Sequence, residues 1–146
     1  MLINKHFQVF IFGLLVIACS SEEVLPLDQP KTEEEIKQEI FEGMAHGWIV
    51  KSVTLDGVAN GDHSKLALSI SGTLGASSFG YSTQGSGSPT VWAPSGFWKF
   101  GKDYEREIIR DPGSGAELIL NYTLKGEELK ISFQLNGKWV FAFERQ

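Results

Sequence analysis

Two hydrophobic periods divide the chain. Between residues 33 and 42 apolar side chains recur at helical spacing, with Ile36 and Ile40 four apart on one face and Phe41 beside them. Thr32 and Glu35 form a T-x-x-E capping box, and Glu33, Glu34 and Glu35 place negative charge at the positive end of a helix over 33–42, with Gly43 as its expected C-cap. From residue 47 onward the period is two. Residues 48–55 read WIVKSVTL, rich in β-branched residues, and the D-G and N-G pairs at Asp56-Gly57 and Asn60-Gly61 are turn signals. Strands are then expected over 65–71 (Leu66, Leu68 and Ile70 on one face), 78–83 (Phe79, Tyr81, Thr83), 96–100 (Trp98, Phe100) and 106–110. After the Asp111-Pro112-Gly113 turn come 117–124 (Leu118, Leu120, Tyr122, Leu124), 128–135 (Leu129, Ile131, Phe133, Leu135) and, across the Asn136-Gly137 hairpin turn, 138–144 (Trp139, Phe141, Phe143).

About eight short strands within about a hundred residues, each joined by turn residues, predict an all-β antiparallel meander. Successive hairpins with few long crossovers favour an eight-stranded up-and-down barrel, preceded by one short helix, over a sandwich, and closure removes exposed strand edges. The opposite strand faces carry Lys65, Ser69, Glu117, Asn121, Lys130, Ser132, Gln134 and Glu144. A polar outside and an apolar inside is the reverse of a membrane-spanning barrel, so the wall faces water.

The N-terminus reads as an address. Lys5 lies in a short charged head, and residues 7–18, FQVFIFGLLVIA, are too short to span a bilayer but suit the apolar region of a secretory signal. The next motif, Val16-Ile17-Ala18-Cys19, resembles the bacterial lipobox, in which the cysteine is acylated and the preceding peptide removed. That reading makes 1–18 a lipoprotein signal peptide and Cys19 the lipid-attachment residue. Residues 19–31 become a tether, interrupted by Pro26 and Pro30, that reaches at most ~40 Å; the helical segment 32–43 and the barrel domain 44–146 follow. By resemblance to the sorting rule of many Gram-negative lipoproteins, Ser20 in place of an Asp after Cys19 favours the outer membrane over inner-membrane retention. Ser21-Glu22-Glu23 resembles a surface-export signal of Bacteroidota lipoproteins, with a periplasm-facing protein as the alternative.

Several residues carry a further resemblance. Gly43 precedes Trp48-Ile49-Val50-Lys51-Ser52-Val53, and the later stretch Val91-Trp92-Ala93-Pro94-Ser95-Gly96-Phe97-Trp98-Lys99-Phe100 is followed by Ile109-Arg110-Asp111 and by the aromatic closing strand from Trp139 to Phe143. The pattern resembles the lipocalin-like domains of uncharacterised function found in Bacteroidota lipoproteins. The resemblance spans about residues 43–146 and implies a calycin-type eight-stranded barrel. It supplies no catalytic residues. The Gly- and Ser-rich stretch 85–89 departs from the pattern and reads as mobile.

Composition narrows the function classes. With 18 Asp plus Glu against 13 Lys plus Arg, the net charge of −5 disfavours nucleic acid as a partner. One cysteine excludes an internal disulfide framework and a cysteine-cluster metal site. Beyond the signal the histidines are His46 and His63; His63, next to Asp62 in a turn, reads as a surface residue. Residues 56–62 lack the EF-hand spacing, and no G-x-S-x-G, H-E-x-x-H or phosphate-loop motif is present. The expectation is therefore a non-enzymatic protein without a cofactor or metal. Aromatic residues are the informative set. Tyr81, Trp92 and Trp98 are the candidate ligand-binding residues, placed at a barrel mouth beside 85–89, for a small apolar molecule or a glycan. The competing expectation makes Trp98 and Phe100 core, Trp48 an end plug and Trp92 a rim residue, leaving a filled barrel that serves as an accessory subunit for a surface-protein partner.

Overall fold

In a computed structural model, which describes residues 30–73 and 78–146, helix α1 (Glu33–Met44) starts where the capping box puts it. Thr32 Oγ1 accepts from Glu35 N at 3.3 Å, and the Glu35 carboxylate accepts from Thr32 N at 2.7 Å. These bonds hold the Glu35 carboxyl below its usual pKa, the backbone N–H of Thr32 being the largest cause. The helix runs past Gly43 and is capped at Ala45, whose N–H donates to Phe41 O at 2.8 Å. Gly43 is thus not the C-cap. It serves close packing instead: a Cβ there would lie 2.7 Å from Leu124 Cδ2. The expected signal peptide, Cys19 and the expected tether up to residue 29 lie outside the described residues.

Among the described residues nine strands follow: β1 (Gly47–Leu55), β2 (Val58–Ala59), β3 (Ala67–Ser71), β4 (Phe79–Gln84), β5 (Ser95–Phe100), β6 (Glu107–Arg110), β7 (Leu118–Lys125), β8 (Glu128–Gln134) and β9 (Lys138–Arg145). All neighbours are antiparallel and run in the order β2-β1-β3-β4-β5-β6-β7-β8-β9, and β1 also pairs with β9. Eight strands therefore close an up-and-down barrel, as the alternation predicts, and β2 is an added two-residue arm on β1. Asp56 (φ 52°) and Gly57 (φ 83°) make the turn that folds β2 back, both at the positive φ that two-residue hairpins require.

The barrel wall obeys the period of two with one interruption. Val50 pairs with Phe143 and Ser52 with Ala142, which leaves Lys51 as a β-bulge. Trp48 and Val50 point inward, Lys51 and Ser52 both face out, and Val53 turns in again. Leu120, Ile131 and Phe141 on consecutive late strands are fully buried, while Lys130 and Gln134 are exposed. Helix α1 closes one end. Phe41 meets Phe79 edge-on at 5.2 Å, Met44 is fully buried, and the Trp48 indole donates to Met44 O at 2.9 Å. Arg145 secures the same end, its guanidinium 5.8 Å from the Trp48 ring and donating to Gly43 O.

Candidate functional site

Tyr81 on β4 and Trp98 on β5 point inward because their positions share the parity of Phe79 and Phe100. Trp92 lies on no strand. It belongs to the connection 85–94 between β4 and β5, which dips into the barrel and leaves Trp92 with none of its surface exposed. The structure thus brings the three candidate residues together: ring centroids are 6.0 Å apart for Tyr81 and Trp92, 5.3 Å for Tyr81 and Trp98, and 6.3 Å for Trp92 and Trp98. All three are buried in the interior, and Trp92 is not a rim residue. Burying a Trp side chain removes roughly 200 Å² from water, worth on the order of 5 kcal/mol, which explains why the connection is drawn inward.

Trp92 stands edge-on against a row of phenyl rings. Phe133, Phe141 and Phe143 lie nearly parallel to one another (10° and 14° between neighbours), and the Trp92 plane meets them at 84°, 89° and 87°. Arg110, at the end of β6, completes the enclosure. Its guanidinium lies 5.6 Å from the Trp92 ring and 5.7 Å from Phe133, and Nη1 donates to Val91 O at 2.6 Å. Asp111, with φ 50°, turns its carboxylate back. Oδ2 is 3.5 Å from Arg110 Nε and accepts from the Tyr81 hydroxyl at 3.2 Å, and Oδ1 accepts from Phe97 N at 3.1 Å. Burial, reinforced by this carboxylate, pushes the Tyr81 hydroxyl pKa up to about 12. The sequence stretches around Trp92-Gly96-Trp98 and Arg110-Asp111 therefore meet in space as one assembly.

Among the described residues two buried indole donors in this assembly have no acceptor, Trp92 Nε1 and Trp98 Nε1, whereas Arg110 Nε makes no well-aligned hydrogen bond but stands 3.5 Å from Asp111 Oδ2. Each such N–H costs about 1–3 kcal/mol when left unpaired.

The stretch 85–89 does not form an open mouth. Gly85 and Gly87 press against the turn at 62–65 so closely that a Cβ would fall 2.2 Å from Lys65 O and 2.0 Å from Asp62 O. The glycines permit this contact between backbones. His63, expected on the surface, is 1% exposed, because this turn folds under 85–89 and over the barrel end marked by the Leu55–Trp139 pair. Its Nδ1 accepts from Gly87 N at 3.3 Å, and its ring meets Trp139 and Phe141 edge-on at 5.3 and 5.6 Å. Desolvation lowers the His63 pKa, opposed by the charge of Asp62.

Arg110, Asp111 and His63 were not among the candidate residues. Arg110 has the parity of inward-facing Ile108, so an inward arginine was readable; burial of His63 depends on a distant segment and left no local mark. Surface depressions of about 450 and 430 Å³ lie on the outer wall, around Lys51, Thr123 and Lys130 and around Ile119, Ser132 and Gln134. Among the described residues no cluster of His, Cys, Asp and Glu could hold a metal ion, and no helix is long and apolar enough to cross a membrane. No protein-family model matches the chain, and neither the curated proteins nor the solved structures give a match.

Proposed function

We propose that the protein is an outer-membrane, lipid-anchored lipoprotein whose lipocalin-like barrel binds a small apolar molecule in its interior without catalysis. The observation that supports binding is the pair of indole donors, Trp92 Nε1 and Trp98 Nε1, that are buried in a mostly apolar interior with no acceptor among the described residues. An interior selected only for packing would use phenylalanine at such positions and leave no N–H unsatisfied. An apolar guest suits this interior better than a glycan, since the rings that would stack on a sugar are covered. Anchoring rests on Val16-Ile17-Ala18-Cys19 directly after the apolar run, and Ser21-Glu22-Glu23 directs the domain to the cell surface.

Titrating the protein with fatty acids, sterols and oligosaccharides while following tryptophan emission tests the binding reading. A saturable change with an apolar compound supports it; silence with every compound contradicts it. Cys19→Ser tests the anchor: the substituted protein should leave the membrane fraction, and full retention would contradict acylation.

A second reading makes the protein an accessory subunit that presents its outer wall to another surface protein. It is favoured by Phe97, 61% exposed, and by Ile119, 56% exposed and paired across strands with Ile109. Loss of a defined complex on Phe97→Ser, with ligand titrations silent, would establish it.

A further inference from the structure

We propose that Trp92 is a displaceable occupant of the barrel's own binding slot, and that the molecule replacing it is a planar aromatic compound carrying an uncharged oxygen acceptor. The inference rests on the interior-binding reading and narrows it.

Placement comes first. Trp92 is carried by a connection and not by a strand, so it can leave without breaking the barrel's ladder. The connection is held by Thr83 N to Pro94 O, Thr83 Oγ1 to Ala93 O, Arg110 Nη1 to Val91 O, Gly87 N to His63 Nδ1 and the Ser86 Oγ contact with His63 Nδ1 at 3.5 Å. Water can replace these hydrogen bonds, and the burial of the guest has to offset the burial that Trp92 loses on leaving.

Shape gives the guest's outline. The slot is lined on one side by the row Phe133, Phe141 and Phe143, each meeting Trp92 at nearly a right angle, and on others by Tyr81, Trp98 and the Arg110 guanidinium. A flat fused-ring system reproduces the edge-to-face contacts that the indole makes now.

Hydrogen bonding gives the chemistry. An indole only donates. Trp92 therefore cannot satisfy Trp98 Nε1, and its own Nε1 is stranded with it. A guest oxygen supplies the missing acceptor, and the departing Trp92 takes one orphan donor out of the interior. Charge sets the last limit. Asp111 lies 3.5 Å from Arg110 Nε and balances the guanidinium, and residues 66–98 contain no Lys, Arg, Asp or Glu, so an ionised guest would enter uncompensated.

The test uses the whole mature chain and two probes of similar shape, 2-acetylnaphthalene with an oxygen acceptor and 2-ethylnaphthalene without one. Trp92→Ala should bind 2-acetylnaphthalene at least about tenfold more tightly than the wild type, and about tenfold more tightly than 2-ethylnaphthalene. Adding Trp98→Phe should remove the preference between the probes. If Trp92→Ala does not fold, Trp92→Leu carries the same comparison. A folded variant that binds neither probe, or both equally, overturns the proposal. So do long-lived water contacts to both indole protons in the wild type, since the donors would already be satisfied. Saturable binding of a fatty acid or sterol by the wild type, combined with failure of this test, would remove the planar slot and leave the interior-binding reading standing.

Discussion

Gly96 is the point at which the interior assembly is most sensitive to one added methyl group. Its φ lies outside the left-handed region, so alanine is permitted by the backbone. The obstacle is space: a Cβ would stand 2.1 Å from Asp111 Oδ1, 2.6 Å from Tyr81 Cε1 and 2.7 Å from the Tyr81 hydroxyl. Either the carboxylate or the tyrosine ring must move. Overpacking of this kind costs about 1–3 kcal/mol. Displacing Asp111 also weakens its bonds to Phe97 N and Tyr81, at about 0.5–1.5 kcal/mol each. Reduced freedom of the unfolded chain returns about 0.4–1 kcal/mol. Gly96→Ala should therefore lose about 1–5 kcal/mol, centred on about 3, in urea unfolding and lower Tm by roughly 12 °C at that centre for a domain of this size. Gly61→Ala is the control, with nothing within 4 Å of its Cβ position and a permissive backbone; it should change stability by less than about 0.5 kcal/mol. Equal, small effects for both substitutions would refute the packing of Asp111 and Tyr81 around Gly96.

The remaining expectations concern the core and the His63 turn. Leu120→Ala, Ile131→Ala and Phe141→Ala should each cost about 2–5 kcal/mol in urea unfolding, whereas Lys130→Ala and Gln134→Ala should stay within about 0.5 kcal/mol; equal costs would contradict a one-sided wall. Folding lowers the His63 pKa, so as pH falls the unfolded chain takes up this proton before the folded one does. Its contribution is complete above the unfolded value near 6.5 and is lost as pH drops below that value toward the lowered folded one. Urea midpoints at neutral pH and at about pH 5 should show this loss in the wild type and a smaller one in His63→Gln; identical slopes would assign the effect to other groups.

Strands were legible because alternation is local and burial acts on one face. The Asn136-Gly137 and Asp56-Gly57 turns were legible for the same reason, their positive φ being written in the residue types. Contacts between segments distant in sequence were not. Gly43 reads as a cap but makes room for Leu124, and Gly85 and Gly87 read as looseness but admit the backbone of the 62–65 turn. The bulge at Lys51 leaves no mark in WIVKSVTL, since it is defined by register with β9. β2 is two residues long, too short for any period to show. In the site, Tyr81 and Trp98 followed from parity. The inward path of Trp92 did not, because a residue on a connection has no periodicity to report which way it faces.

Fluorine NMR of the protein labelled with 5-fluorotryptophan reads that inward path without a ligand. The chain has 4 Trp, so four resonances are expected, and loss of one in Trp92→Phe assigns Trp92. With no guest present, the Trp92 resonance should show no shift between H2O and D2O, as for a ring sealed among Phe133, Phe141 and Phe143. A full solvent isotope shift at Trp92, equal to that of the unfolded chain, would place the indole outside the barrel and contradict the occupied interior.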